Sequence, residues 1–480
     1  MPAPSSKLVL TGAAFAALAL GCNFAPVYVK PGAPTPAAFK ELPPAAEGWK
    51  PAEPGDRLLR GSWWEAFRDP QLNSLEAQVA DANQNVALAL ARFQAARALV
   101  RQAQSQYYPT LTVSPAVTRS RQLYTPSPGS PATPYTVTEF SLPFDATWEA
   151  DFWGRIRNTV KAGTLEAQAS LADLGNVRLA QQAELAVAYF QIQAQDAQAE
   201  LLTSAVADYQ EALTLVRIQE GAGMASGQDV EQALTLLTAT RAQATDLSIL
   251  RAQLEHAIAT LTGRTASAFS LPAHALNAQP LLIPPGLPAE LLERRPDIAA
   301  AERRVAEANA QIGVARAAYF PTAFLGASAG YQHAVLGGLV SSPNLLWSVG
   351  ATLAGTLFDG GRRRAVTEQA KATYLGTVAT YRQTVLGAFQ DVEDNLSTLR
   401  LLAVERGQQD EAVASAQRYL ALALSRYDAG LDLYLEVITA RTALLSNQRV
   451  AAGLRMQQMV ASVQLIKALG GGWRAEPAGS

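Results

Sequence analysis

The chain has 480 residues, of which 17% are charged, below the roughly 25% usual for soluble globular domains. A formal net charge of −2 gives no electrostatic case for nucleic-acid binding. One Cys and three widely separated His (His256, His274, His333) support neither a zinc site nor a disulfide framework. No nucleophile–base pair or phosphate loop stands out, so no catalytic, cofactor or metal site is expected.

At the N-terminus, Lys7 precedes an apolar run from Leu8 to Leu20, shorter than the ~20 residues that cross a bilayer. Residues 1–21 therefore read as a signal peptide. The run ends Leu18-Ala19-Leu20-Gly21-Cys22, which resembles the lipobox of bacterial lipoproteins. That resemblance implies a covalent lipid on Cys22, which would become the first mature residue. Ala19 stands where the lipobox usually has Leu, and Asn23 replaces the Asp of inner-membrane retention. The alternative is an ordinary signal peptide with an incidental Cys. Residues 23–56, rich in Pro, Ala and Gly, read as an extended tether within a segment spanning 22–71.

Helical periodicity then covers about 72–108 and stops at Tyr107-Tyr108-Pro109, because proline disfavours the α conformation before it. Thr110–Ser114 and the period-two stretch Phe140–Phe152 read as a strand pair, separated by the Pro/Ser/Gly-rich 124–131, a surface loop. A long helix follows from Arg155 to about Gln219, roughly 98 Å at 1.5 Å per residue. The chain turns at about 220–228 and returns as a helix over 229–261.

After a linker at 264–295 the same order recurs. A helix over 296–320 stops at Tyr319-Phe320-Pro321. Strands follow at about 322–331 and 347–357, a long helix from Arg362 to about Tyr427, a turn at 428–432, a helix over 433–469, and a tail at 471–480. Gly154, Gly223 and Gly263 match Gly361, Gly430 and Gly470 at an offset of 207. The proline motifs are offset by 212, so the length difference falls in the outer loop. The unit is therefore a tandem repeat, 72–263 and 296–470.

Strands of this length with one apolar face suit a membrane β-barrel, or alternatively a half-buried soluble hairpin. Four strands cannot close a barrel, and open edges are not viable in lipid, so several chains must contribute. Val413, Ala416, Leu420, Ala423 and Tyr427 form a coiled-coil seam.

The string Leu287 to Glu302, with Arg294-Arg295-Pro296-Asp297-Ile298 at its centre, is physically a helix start. It also resembles the signature of the TolC-like outer membrane efflux factor family, in its NodT-type (RND efflux) lipoprotein branch. Tyr28-Val29-Lys30-Pro31, Trp63-Trp64, Asp151-Phe152-Trp153-Gly154-Arg155, Leu357-Phe358-Asp359-Gly360-Gly361-Arg362 and Arg426-Tyr427-Asp428-Ala429-Gly430 agree in order. The resemblance implies an α+β membrane channel: a homotrimer with a twelve-stranded outer-membrane β-barrel, four strands per chain, continuous with a twelve-helix periplasmic α-barrel. It implies an equatorial collar from about 40–71, 264–290 and 470–480. Expected partners are a periplasmic adaptor (membrane fusion) protein, an inner-membrane RND-type pump and outer-membrane lipid.

The helix turns are the expected periplasmic tips, with Gly221, Gly223, Gly227 and Gly430 as candidates for adaptor contact. By resemblance Leu435 occupies the position of a pore-narrowing Leu ring. Thr439 and Thr442 replace the family's Asp and Arg, which leaves Asp432 and Glu436, one turn apart on the same helix face, with Asp428 nearby, as candidate gate carboxylates. The plain alternative is a solvated helix-start acid and a surface Glu. The function implied is a passive exit duct for small molecules such as drugs. A type I protein secretion channel is the nearest rival; a trimeric adhesin would cluster its strands at the C-terminus.

Overall fold

The computed structural model describes residues 23–36, 38–41, 62–125, 127, 131–274, 276 and 294–471. Cys22, the signal peptide, most of the linker and the tail lie outside them. Two compact units emerge, one from Met1–Gly32, Phe93–Ala169 and Ala301–Tyr381, the other from Ala33–Arg92, Ser170–Ala300 and Arg382–Ser480.

In the first repeat the elements are α1 (Pro70–Ala82), α2 (Gln84–Gln104), β1 (Thr110–Val113), β2 (Ala116–Tyr124), β3 (Thr133–Ala150), α3 (Arg155–Gly221) and α4 (Gly227–Leu261). The second has α5 (Pro296–Ala317), β4 (Thr322–His333), β5 (Leu345–Ala354), α6 (Arg362–Asp428) and α7 (Tyr434–Ala468). The two long helices are 67 residues each, about 100 Å of rise.

Three differences from the sequence reading have physical causes. The helix expected over 72–108 breaks at Asn83, whose side chain accepts hydrogen bonds from the Asn85 and Val86 amides (2.9 and 3.1 Å). Asn83 thus caps α2, and its Nδ2 donates to the Leu261 carbonyl at 2.9 Å. The first strand continues far beyond Ser114 as β2, in the same register against β3: Val113 faces Phe144 and Ala116 faces Ser141. It is interrupted because Pro143 cannot return the bond that Ser114 donates to its carbonyl (3.3 Å). β5 ends at Ala354, leaving Leu357 and Phe358 outside the ladder and almost wholly exposed.

The repeat is visible in the backbone. Gly154 and Gly361, Gly223 and Gly430, and Gly263 and Gly470 all adopt positive φ, the region open to glycine. A side chain on Gly263 would strike the Ala82 carbonyl, and one on Gly470 the Arg294 carbonyl. Those two carbonyls are 212 residues apart, the offset of the proline motifs. Each repeat therefore closes the end of its last helix against the residues just before α2 and α5, which begin at Gln84 and Pro296.

In the first unit the sheet runs β1/β2, β3, β4, β5, antiparallel throughout. Among the described residues β3 and β4 are paired on both sides, and β1/β2 and β5 are edges. At Pro143 the neighbour is Gly330, where a Cβ would lie 2.6 Å from the Pro143 Cα. Asp151 caps α3 by accepting from Ile156 and Arg157 amides (3.1 and 2.8 Å), and Asp359 does the same for α6 through Gly361 and Arg363.

The second unit has its largest core around Trp63, Phe67, Leu72, Tyr189, Phe190, Ile258, Met459, Val463 and Ile466. Asp69 caps α1 (Gln71 amide, 2.9 Å) and accepts from the Tyr189 hydroxyl at 2.7 Å. Arg295 of the Arg-Arg-Pro-Asp-Ile string forks onto Asp297 (3.0 and 2.7 Å), reaches Asp391 at 3.0 Å and donates to the Ala468 carbonyl at 3.1 Å. What reads locally as a helix start thus joins α5, α6 and the end of α7.

Candidate functional site

Register assigns every strand residue to a face. Leu111, Val113 and Val117 share a face with Phe140, Leu142, Phe144, Trp148, Leu325, Tyr331, Trp347, Val349 and Leu353. Between the rungs of Ala150 and Phe140 this face carries no charged residue. The opposite face presents Thr112, Thr118, Ser141, Asp145, Thr147, Gly326, Ser328, Gln332, Ser348 and Thr352, with Glu139 and Glu149. The ten residues between those rungs span about 33 Å along the strand, or about 25 Å once tilted as in a barrel, matching the apolar band of outer-membrane barrels. On this face Trp347 is 74% exposed, and the Trp148 indole N–H donates to the Tyr107 carbonyl at 3.0 Å.

A strap of residues after Cys22 lies on the same unit. Asn158 donates to Asn23 (2.9 Å), Arg316 to the Phe24 carbonyl (3.2 Å) and Asn309 to the Pro26 carbonyl (2.8 Å). The Tyr28 hydroxyl donates to Glu302 at 2.5 Å; burial, then this bond, pushes its pKa well above the ordinary tyrosine range. Phe24 stacks on Phe320 at 4.2 Å, and Trp153 stacks on Phe320 at 5.0 Å. The strap therefore grips the junction at which α5 becomes β4.

The tips belong to the second unit. Each long helix ends in the same motif. Met224 donates to the Gln219 carbonyl (2.8 Å) and Gly223 to Glu220 (2.9 Å); Leu431 donates to Arg426 and Gly430 to Tyr427 (both 2.9 Å). These are the paired bonds of a Schellman turn, with glycine in the left-handed position. Gly221 closes α3 and Gly227 opens α4.

Beyond this the halves diverge. Ser226 and Asp229 form a reciprocal capping box at the start of α4. The equivalent N-cap of α7 is Leu433, which has no side-chain cap. Asp432 lies before α7 rather than on it, so it does not share a helix face with Glu436. Arg426 grips Asp432 through two bonds (2.6 and 3.0 Å) and holds its carboxyl below the usual aspartate range. Glu436 accepts from the Tyr419 hydroxyl at 3.1 Å, which raises that phenol.

Leu435 is 38% exposed on the first turn of α7, and Thr439 bonds back to its carbonyl at 2.9 Å. Asp428 is the last, exposed residue of α6. Sequence reasoning did not find the ties between α7 and α3: Arg441 to Asp208 at 2.6 Å and Thr442 to the Tyr209 hydroxyl at 3.1 Å. Only Arg441, beside the position where the family motif has Arg, hinted at them.

Among the described residues no three His, Cys, Asp or Glu side chains group to hold a metal ion. Residues 68–264 and 287–471 match the family described as "Outer membrane efflux protein". The chain belongs to the outer membrane efflux protein family. The two matched blocks follow the two repeats.

This efflux-family chain is 33% identical over 462 residues to the toluene efflux pump outer membrane protein TtgF of Pseudomonas putida, covering 94% of each. It is equally similar to the probable efflux pump outer membrane protein SepC, from another strain of the same species. Among solved structures it resembles the outer-membrane channel OprN, with TM-score 0.85 and 29% identity over 94% of this chain and 99% of that one. The fold is that of the family's trimeric channels, which combine a β-barrel with a helical barrel, and the protein is an outer-membrane component of an efflux system.

Proposed function

We propose that three copies of this chain form the passive exit duct of a tripartite pump that expels small apolar molecules. The observation that carries the reading is the sheet: two open edges, one apolar face free of charge between the Ala150 and Phe140 rungs, and one mostly polar face. Such a sheet is stable in lipid only if neighbouring copies pair its edges. Toluene is the cargo that TtgF is named for, and aromatic solvents, with drugs of similar character, are the cargo class proposed here. The duct moves solutes without altering them and needs no cofactor. Acylation of Cys22 would anchor the strap to the inner leaflet of the outer membrane.

The tips would meet a periplasmic adaptor, beneath which an RND-type inner-membrane pump would work. Met224, Leu431 and Leu433, each more than two-thirds exposed, flank Gly221, Gly223, Gly227 and Gly430 and supply apolar surface for that contact. The gate would be α7. Leu435 narrows the pore, the Arg441–Asp208 and Thr442–Tyr209 ties hold α7 against α3, and the Arg426–Asp432 fork sets the turn. Thr439 contributes no charge, and Asp428 and Glu436 supply the remaining carboxylates.

Single-channel recording tests this. Arg441→Gln combined with Asp432→Asn should raise open probability and conductance, and Glu436→Gln should weaken cation preference. Unchanged conductance and selectivity in these variants would reject the gate assignment.

A further inference from the structure

Beyond the apolar band, β2 carries Arg119 and Arg121. Register sets them opposite Thr138 and Thr136, on the same face as Val117 and Phe140. At about 3.4 Å per residue they lie about 7 and 14 Å past the Val117 rung. They are at the end of the sheet where β2 ends (Tyr124) and β3 begins (Thr133), away from the strand ends that join the helices. In an outer-membrane barrel with its helices in the periplasm, this is the outer-leaflet end.

Charge separates across the sheet. The acids Glu139, Asp145 and Glu149 all lie on the polar face, whereas the two Arg of β2 lie on the apolar one. Both guanidinium groups are exposed, and neither has a hydrogen-bond or ion-pair partner among the described residues. Had they served only solubility, positions 118 and 120, beside Glu139 on the polar face, would have offered partners. Instead, two cations project from the lipid-facing side where the hydrocarbon band ends. Arginine stems can lie along acyl chains while their heads reach the polar layer, and the guanidinium fork matches phosphate oxygens. Thr136 and Thr138 add hydroxyl donors on the same rungs.

We propose that Arg119 and Arg121 form a binding site for the phosphate groups of outer-leaflet lipids, with the acyl chains lying on the Val117–Phe140 surface below. The occupant is a membrane lipid and not free phosphate, because half of the site is apolar. Its position on an edge strand would place the lipid headgroup beside the seam between neighbouring copies.

The test uses the full-length assembled protein in detergent, with bisphosphorylated lipid A as the probe and native mass spectrometry as the readout. Wild type should retain the lipid, and Arg119→Gln/Arg121→Gln should lose affinity by about tenfold or more while keeping its assembled mass. Lys at both positions should restore part of the binding. Inorganic phosphate at matched concentration should not displace the lipid, and rising salt should weaken retention. Equal retention by the Gln variant, or displacement by inorganic phosphate, would overturn the site. Should the Gln variant fail to assemble, the salt series on wild type decides, since retention indifferent to ionic strength excludes a charge-based site. Assembly itself is read from the mass, so failure of the channel reading is seen separately.

Discussion

Gly313 lies in α5 under the strap, where a Cβ would come within 2.6 Å of the Ala25 Cβ and 2.8 Å of Asn158 Nδ2. Carbon atoms in contact prefer about 3.5–4.0 Å, so Gly313→Ala must push the strap away by about 1 Å. Such a retreat breaks the Asn158–Asn23 and Arg316–Phe24 bonds, at about 1 kcal/mol each. It also disturbs the Phe24–Phe320 stack, for another 0.5–1.5 kcal/mol or so. The strap should therefore undock with a penalty of about 2–4 kcal/mol, roughly 30- to 1,000-fold in its local equilibrium. Alanine meanwhile favours the helix by up to about 1 kcal/mol, so α5 itself should not melt. Limited proteolysis separates the two effects: chymotrypsin should gain cleavage after Phe24 and Tyr28 while bonds within α5 stay protected. Gly453→Ala, in α7 with nothing within 4 Å of its Cβ, should change neither. Undiminished strap protection in Gly313→Ala, or loss confined to α5, would refute the reasoning.

Three further outcomes are expected. Glu76 is fully buried, with no hydrogen-bond partner for either oxygen among the described residues, and burial raises its carboxyl from 4.5 to about 9. Between those values the folded state holds a proton that the unfolded chain has lost, so stability falls as pH rises through that window. The cost is about 3 kcal/mol at pH 7, and Glu76→Gln should flatten the fall in thermal midpoint between pH 5 and 8; identical pH profiles would contradict this. Gly330→Val forces β4 against the Pro143 backbone and should reduce recovery of folded protein from membranes by at least severalfold, read by heat-modifiable gel mobility. Cys22→Ser should abolish incorporation of labelled fatty acid; persistent labelling would place the lipid on another residue.

Most of the helical frame was legible because its signals are local. Proline after Tyr108 and Phe320 stops helices, and glycine at 154, 223 and 263, repeated 207 residues on, marks positions that need positive φ. The β3 and β5 faces were readable from period-two alternation, for the same local reason. What was not legible depends on partners distant in sequence. Asn83 looks like one polar residue in a helical run, and its break in the helix is supported by a bond to the Leu261 carbonyl. β2 carries Arg119, Arg121 and Gln122, which weakens its alternation, and only the register against β3 reveals it as a strand. Asp432 and Glu436 looked like free carboxylates at helical spacing. Arg426 and Tyr419, on the helix before the turn, satisfy them, and no spacing rule connects those positions.

The most direct measurement is the native mass of the protein extracted from outer membranes in mild detergent. Three copies per particle, with none dissociating on dilution to nanomolar concentration, are what a sheet with two open edges in lipid requires. A stable monomer that retains its β-signal would contradict the shared barrel and the duct built on it.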